Sequence, residues 1–339
     1  MKIWKVLSPG VLAEEEKPES IQSPTQAKVK VTKLLLSSAE LRVFDGSAGA
    51  AYPVIPGRFA VGVVSEAGEH CVGVEKNTRV YIRDVAPCGR CEQCVAGHAE
   101  NCVHICVAGV DRDGALRDFV VAEESALSPL PPSVSDDKAL FIGIVSMCEA
   151  VVDGLDAAKG THIAVFGADE IGNLLSQLLI YRQAVPILID PDEDKLKLAA
   201  QCGIYYTVKA DEALHERISQ ITGGRMAAGS VYTSYCPVPP ETAFETTAAG
   251  GTVVYTGLGF PAVSVPMKIA QDKRLTLTTI SNDYSNNAAA INLLVNNAVD
   301  PTPLIAAHRP VAEAAGAFQD GCAALKESGR APCGVIEML

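Results

Sequence analysis

Residues 163–190 read IAVFGADEIGNLLSQLLIYRQAVPILID, and this stretch determines the class of fold. It opens with the short apolar run 163–166 and closes with a second apolar run at 186–189. Between the two runs, five apolar residues recur at helical spacing and share one face: Ile171, Leu174, Leu175, Leu178 and Leu179. A strand, a helix and a second strand in this order predict a β-α-β unit with parallel strands.

The same alternation continues toward the C-terminus. Strand-like runs recur at residues 206–208, 229–232, 251–255 and 275–280, and a helix is predicted around residues 195–200. Continuous apolar strands that alternate with helices are typical of a parallel sheet covered on both faces. With the two strands above they make six, the number in a complete doubly wound sheet. We therefore predict an α/β fold with a six-stranded Rossmann domain over residues 151–283, followed by a helix at 288–296.

The loop GADEIG at residues 167–172 lies between the first strand and its helix, where a dinucleotide fingerprint belongs. Gly167 would make the turn, and Gly172 would let the helix pack closely on the strand. Asp190 ends the next strand, where an acid accepts hydrogen bonds from the adenosine ribose and repels a 2′-phosphate. We assign Gly167, Glu170, Ile171, Gly172 and Asp190 to a candidate NAD(H) site.

Asp169 stands where the fingerprint has its central glycine. That glycine lets the backbone approach the pyrophosphate, whereas a carboxylate adds bulk and like charge. Asp169 and Glu170 also suit a helix N-terminus without any ligand, because acids cap free N–H groups there. Two alternatives follow: Asp169 turns outward and NAD(H) binds, or the protein fills its own anion site.

The first 130 residues follow a different pattern. Residues 28–32, 61–64 and 79–82 read as β-strands, separated by turn-rich stretches. The run LSPLPP at residues 127–132 predicts a stiff connector, because its prolines do not fit helices or central strands.

Four cysteines lie close together in one loop, at Cys88, Cys91, Cys94 and Cys102. Zinc prefers four thiolates in a tetrahedron, and turn glycines let one short loop wrap the ion. Four sulfur ligands leave no open position for substrate, so we predict a structural zinc, one per chain, in a lobe at residues 87–106. The alternatives are four unrelated buried cysteines or a redox cluster.

The stretch PCGRCEQCVAGHAENC at residues 87–102 resembles the zinc-containing alcohol dehydrogenases of the medium-chain dehydrogenase/reductase superfamily. YPVIPG at 52–57, DGALRDF at 113–119 and GGTVVYTG at 250–257 extend the resemblance along the chain. The resemblance implies a GroES-like β-barrel catalytic domain at residues 1–150 and 284–339. It also implies a small-molecule substrate and a homodimer or homotetramer.

The resemblance also places a catalytic zinc, and this sequence departs from the family at its ligands. Ser37 stands at the position of the ligand cysteine and Arg58 at that of the ligand histidine, while Glu40 replaces the usual aspartate. Cys148 is the possible match to the third ligand. A guanidinium is permanently charged and has no lone pair to offer, so the catalytic zinc is predicted to be lost.

Two interpretations of these four candidate catalytic residues remain. In the first, Arg58 grips a substrate carboxylate, phosphate or developing oxyanion, and Ser37 adds a hydrogen bond or relays a proton. The protein is then an NAD(H)-dependent oxidoreductase for a small polar or anionic substrate. In the second, Arg58 pairs with a neighbour such as Glu40 and only fills the site. The alternative function is a non-catalytic binding or partner subunit, because the metal ligands and the central glycine of the phosphate loop are lost together.

The bulk composition excludes several other classes. The net charge is −12 and we find no cluster of Lys and Arg, which argues against nucleic acid and anionic membranes as partners. The apolar runs are too short to span a membrane. Eleven cysteines without a secretory signal predict a reducing, cytoplasmic location.

Overall fold

The computed structural model describes residues 1–234, 236–257, 262–280, 286–328 and 331–338. The chain divides into two compact units, Met1–Gly143 with Ile305–Leu339, and Ile144–Leu304. The sequence predicts a Rossmann domain at residues 151–283. The second unit of the structure begins earlier and ends later than that predicted domain.

The described residues form strands and helices that are numbered in chain order. The strands are β1 (Lys2–Ser8), β2 (Val11–Glu16), β3 (Gln26–Leu36), β4 (Ala60–Ala67), β5 (Arg79–Ile82), β6 (Val85–Ala86), β7 (Cys106–Val107), β8 (Phe119–Glu123), β9 (Leu127–Pro129), β10 (His162–Phe166), β11 (Val185–Asp190), β12 (Tyr206–Lys209), β13 (Ala227–Thr233), β14 (Thr247–Thr256), β15 (Thr276–Ile280), β16 (Ile305–Pro310) and β17 (Cys333–Glu337). The helices are α1 (Ser38–Asp45), α2 (Glu92–Val95), α3 (Asp136–Ala139), α4 (Ile142–Leu155), α5 (Glu170–Tyr181), α6 (Glu193–Gln201), α7 (Leu214–Ile221), α8 (Glu241–Thr246), α9 (Met267–Lys273), α10 (Asn287–Val295) and α11 (Ala314–Ser328).

The second unit is built on a six-stranded parallel sheet in the order β12-β11-β10-β13-β14-β15. This confirms the predicted Rossmann sheet. The central strands are apolar and buried along their length, as in the run from Ile163 to Phe166, because helices cover both faces. The strand order reverses between β10 and β13, and ligands of such sheets bind at the carboxyl ends of the strands beside that point.

The second unit extends to Leu304 because the segment after α10 is bonded back to α5. The N–H of Asp300 donates to Gln177 Oε1 at 2.7 Å, and Gln177 Nε2 donates to Asp300 O at 3.2 Å. These two bonds fix residues 296–304 to the nucleotide-binding fold. The predicted helix at 288–296 is present as α10.

The first unit contains a seven-stranded sheet in the order β16-β17-β3-β4-β5-β9, with β8 paired to β3. The predicted strands at 28–32, 61–64 and 79–82 lie within β3, β4 and β5. The last helix, α11, has no counterpart in the sequence-based prediction. It packs on α1 through Phe44 and Phe318, whose ring centroids are 5.2 Å apart, and Gly321 lies against Leu41.

The prediction of a connector at residues 127–132 is wrong for its first half, which forms strand β9. β9 pairs antiparallel with β5, with Pro129 opposite Val80. Proline donates no hydrogen bond, which is tolerated where a strand is the last in its sheet. β9 is in that edge position.

Candidate functional site

The four cysteine thiols of the 87–106 loop converge on one point in the first unit. All four sulfur atoms lie within 4.8 Å of one another. The Sγ atoms of Cys88 and Cys94 are 4.0 Å apart, those of Cys91 and Cys94 3.5 Å, and those of Cys91 and Cys102 3.9 Å. A tetrahedral zinc with Zn–S bonds of ~2.3 Å has S···S edges of ~3.8 Å. The cluster therefore has the size that a metal ion requires.

The backbone around the cluster is shaped for sulfur ligands. Gly89 and Gly97 have positive φ angles of 70° and 87°, which let the chain turn around the thiols. Two backbone N–H groups, those of Cys88 and His104, donate to Cys102 Sγ at 3.3 and 3.4 Å. Such donors stabilise thiolates, the form in which cysteine binds metal. Among the described residues, no other group of three or more His, Cys, Asp or Glu side chains is arranged to hold an ion.

Ser37 and Glu40, two of the four candidate catalytic residues, form a buried capping box at the start of α1. Ser37 is the N-cap, and its Oγ accepts from Ala39 N at 3.2 Å. In return, Glu40 Oε2 accepts from Ser37 N at 3.0 Å and from Ser37 Oγ at 2.6 Å. Both side chains are 1 % exposed. Burial raises the pKa of Glu40, and the hydrogen bonds from Ser37 and from Arg58 N oppose this rise.

Arg58, the third candidate, is held by a carboxylate that sequence reasoning missed. Its Nε donates to Asp84 Oδ2 at 2.7 Å, and the two side chains are 6 % and 5 % exposed. Tyr81 OH donates to Asp84 Oδ1 at 3.1 Å. Glu40 instead accepts the backbone N–H of Arg58 at 3.1 Å. The proposed pairing of Arg58 with Glu40 is therefore corrected: the side chain pairs with Asp84. A Cβ at Gly143 would lie 3.0 Å or less from Tyr81 OH and Asp84 Oδ1, so the network is closely packed.

These residues do not suit a catalytic zinc. Ser37 Oγ is already bonded to Glu40, and Arg58 places a positive charge where the family has an imidazole ligand. Cys148 lies in the second unit, on α4, and is 1 % exposed. Its Sγ donates to Ile171 O at 3.8 Å, and burial raises its pKa, so it is a neutral thiol rather than a thiolate.

In the second unit, the fingerprint loop has the tight geometry of a dinucleotide-binding turn. Gly167 has a φ of 103°, a conformation that favours glycine. A Cβ at Gly172 would lie 1.8 Å from Gly167 O, so only glycine lets α5 begin this close to β10. Glu170 and Ile171 occupy the first turn of α5 and are buried. The structure thus brings these four predicted site residues together.

Asp169 is turned into the protein rather than outward. It is the N-cap of α5, and its Oδ1 accepts from Gly172 N at 2.7 Å. Its Oδ2 lies 3.4 Å from the hydroxyl of Thr233, which ends the neighbouring strand β13. The residue is 8 % exposed. Of the two sequence-based alternatives, the geometry matches the one in which the chain fills its own anion site.

Asp190 ends β11 at the expected position and is fully buried. Its Oδ2 accepts from Ala168 N at 2.8 Å, inside the fingerprint loop, and its Oδ1 accepts from Asp192 N at 2.9 Å. Each carboxylate oxygen has a second lone pair, so these bonds do not exhaust its acceptor capacity. The acid therefore fixes the fingerprint loop through Ala168 N.

A doubly wound parallel sheet with a glycine turn at its switch point defines the second unit as a nucleotide-binding fold. The first unit combines a mainly antiparallel sheet with the four-cysteine lobe. Residues 23–132 match the alcohol dehydrogenase GroES-like domain, and residues 171–296 match the zinc-binding dehydrogenase domain. The chain therefore belongs to the medium-chain dehydrogenase/reductase superfamily, in its zinc-containing alcohol dehydrogenase-like branch.

Individual relatives agree with this assignment. Sorbitol dehydrogenase of Halalkalibacterium halodurans is 28 % identical over 219 residues, which cover 63 % of this chain and 64 % of that protein. An uncharacterized zinc-type alcohol dehydrogenase-like protein of Haemophilus influenzae is 24 % identical over 302 residues, 88 % of each chain. The NADH complex of an alcohol dehydrogenase of Escherichia coli CFT073 shares the fold, with a TM-score of 0.87 and 21 % identity, and the match covers 100 % of this chain and 99 % of that one.

No helix in the part of the chain that the structure describes has the length and apolar character needed to cross a membrane.

Proposed function

We propose that this chain is an NAD(H)-dependent oxidoreductase that transfers hydride to or from a small polar or anionic substrate without a catalytic zinc. The loop after β10 carries the proposal. Gly167 keeps its positive φ, Gly172 keeps its contact with Gly167 O, and Asp190 is bonded to the loop through Ala168 N. Glycine at the turn, glycine at the helix–strand contact and an acid at the end of the second strand are the residue types that a dinucleotide fold needs at those positions. The acid at 190 favours NAD(H) over NADP(H).

The cysteine cluster has a separate, structural role in this proposal. We propose that Cys88, Cys91, Cys94 and Cys102 hold one zinc ion per chain. Their sulfur–sulfur distances match a tetrahedral site, and four protein ligands leave no position for substrate. The ion stabilises the lobe and takes no part in the reaction.

The chemistry at the former metal position then rests on Arg58, Ser37 and Glu40. NAD(H), when bound, supplies or accepts the hydride, and a proton must reach or leave the substrate oxygen to balance it. Ser37 Oγ is 2.6 Å from Glu40 Oε2, a contact through which a proton can move, and the raised pKa of Glu40 favours its holding that proton. Arg58 contributes a positive charge at this position, and an anionic substrate group would compete with Asp84 for it.

A titration of the purified protein with NADH, followed by nucleotide fluorescence and repeated with NADPH, tests the proposal. We expect saturable binding of NADH and at least tenfold weaker binding of NADPH. Replacing Asp190 by Asn should bring the affinities for NADH and NADPH closer together, because the charge that repels the 2′-phosphate is removed. If neither nucleotide binds to the wild-type protein, NAD(H) dependence is refuted.

A second candidate function is a non-catalytic family member that acts as a binding or partner subunit. The observation in its favour is that both sites of the family's chemistry are internally satisfied. Arg58 is paired with Asp84 in a buried contact, and Asp169 caps its own helix. Oxidation of NADH with a panel of small aldehydes, ketones and keto acids distinguishes the two functions. Turnover that Arg58→Lys lowers would support the enzyme, whereas nucleotide binding without turnover would support the partner subunit.

A further inference from the structure

The start of α5 is the point where a bound pyrophosphate would be held, and this chain already has an anion there. Backbone N–H groups at a helix N-terminus, together with the helix dipole, favour one negative charge. In this protein the Asp169 carboxylate takes that place, with Gly172 N donating to its Oδ1 at 2.7 Å. Its other oxygen faces Thr233 Oγ1 at 3.4 Å. The carboxylate is thus positioned between α5 and the end of β13.

A second backbone N–H group of the same loop also donates to a carboxylate of the protein. Ala168 N donates to Asp190 Oδ2 at 2.8 Å, and Asp190 is fully buried. The fingerprint loop therefore directs two of its backbone donors, Ala168 N and Gly172 N, to internal carboxylates. A phosphate approaching this loop meets two negative charges and fewer donors than the turn would offer with glycine at 169.

We propose that Asp169 is a specificity-determining residue that competes with the pyrophosphate of a dinucleotide for the start of α5. Its carboxylate lowers the affinity for NAD(H) selectively through the pyrophosphate and leaves recognition of the adenosine part unchanged. This inference rests on the proposed function, because it takes the loop after β10 as the nucleotide site. Two unit charges ~5 Å apart in an effective dielectric of ~20 correspond to a change in affinity on the order of 100-fold.

The test compares the wild-type protein with Asp169→Asn and Asp169→Gly. Asparagine keeps an acceptor for Gly172 N and removes only the charge, since Asn and Asp are equally good N-caps. Glycine restores the fingerprint and removes the cap as well. Asp211→Asn is the matched control, because Asp211 also accepts a backbone N–H, that of Ala213 at 2.9 Å, but lies before α7. Each protein is titrated calorimetrically with NADH, ADP-ribose and adenosine.

We expect both Asp169 variants to bind NADH and ADP-ribose at least 30-fold more tightly than the wild type. Adenosine affinity should change less than threefold, as should every affinity of the Asp211→Asn control. Tighter dinucleotide binding by the variants supports the inference even if the wild type shows no binding, an outcome that would refute only the proposed function. Equal NADH affinity in wild type and both variants overturns the inference and leaves the proposed function intact. No NADH binding by any of the proteins overturns both.

Discussion

Removing the carboxylate of Asp84 should destabilise the first unit far more than removing an exposed carboxylate of the same unit. Asp84 and Arg58 are 5 % and 6 % exposed, and their charged atoms are 2.7 Å apart. Asp84→Asn leaves a buried guanidinium without its counter-charge. Breaking a buried ion pair in this way costs about 3–5 kcal/mol of unfolding free energy, because the remaining charge loses this counter-charge and stays out of water.

The measurement is urea-induced unfolding followed by tryptophan fluorescence. The chain has one tryptophan, Trp4, which is buried in the core of the first unit and so reports on the unit that contains the pair. Asp320→Asn is the control. Asp320 bonds Arg309 at 2.9 Å, but the two side chains are 65 % and 39 % exposed, so its loss should cost less than about 1 kcal/mol.

A double-mutant cycle separates the ion pair from other effects of the substitution. Arg58→Met alone should also be costly, because it leaves the buried Asp84 carboxylate with Tyr81 OH as a neutral partner. The double variant Arg58→Met with Asp84→Asn removes both charges. It should therefore be more stable than the sum of the single effects predicts, by about 2 kcal/mol. Additive single effects, or an Asp84→Asn cost no larger than that of the control, would show that the buried pair does not exist as described.

Three further predictions follow from the site. Metal analysis should find about one zinc per chain, and Cys94→Ser should abolish it; two zinc ions per chain would contradict the account of the catalytic position. Gly172→Ala should lower the stability of the second unit by about 3 kcal/mol or more, because its Cβ would lie 1.8 Å from Gly167 O. Gly316→Ala is the control, since no atom lies within 4 Å of its Cβ, and it should be neutral or stabilising. Thermal denaturation measures both variants. Burial raises the folded-state pKa of Glu40, so the folded protein holds this proton to higher pH than the unfolded chain. The free energy of unfolding should therefore fall as pH rises from about 4.3, the usual pKa of a free Glu, through the folded-state pKa of Glu40. Glu40→Gln should remove this fall. If the variant and the wild type show the same dependence of unfolding free energy on pH, the prediction is refuted.

The parts of this molecule that sequence predicts well depend on residues near one another in the chain. The central strands of the second unit, such as β10 and β11, are apolar runs because both faces of the sheet are covered there, and the run alone identifies them. The cysteine ligands lie within one loop, so their spacing already constrains their geometry. The role of Gly172 in packing is predictable because the close approach of α5 to β10 is set within six residues.

The parts that escaped prediction depend on partners distant in the chain. Asp84 lies 26 positions after Arg58, and only the pairing of β4 with β5 brings the two together. A carboxylate two residues after the apolar run 80–82 was the available signal, but no neighbouring residue in the chain indicated which cation it pairs with. Likewise, the sequence did not determine whether the Asp169 side chain turns outward or caps its own helix. The hydroxyl of Thr233, on a strand more than sixty residues later, lies beside its inward position.

At the catalytic-zinc position and at the start of α5, the protein supplies its own charge in place of a ligand. The cysteine lobe does not. Where the family resemblance implies a catalytic zinc, this chain has Arg58 with Asp84, and where the fingerprint implies a pyrophosphate, it has Asp169 on the helix N-terminus. In each case the chain supplies the charge that a ligand would otherwise bring, so the folded state does not need that ligand for local stability. The described contacts to the cysteine sulfurs are instead backbone N–H groups, which carry only partial charges. Four converging thiolates would repel one another, so a bound cation is still needed there. We therefore expect metal removal to destabilise the lobe.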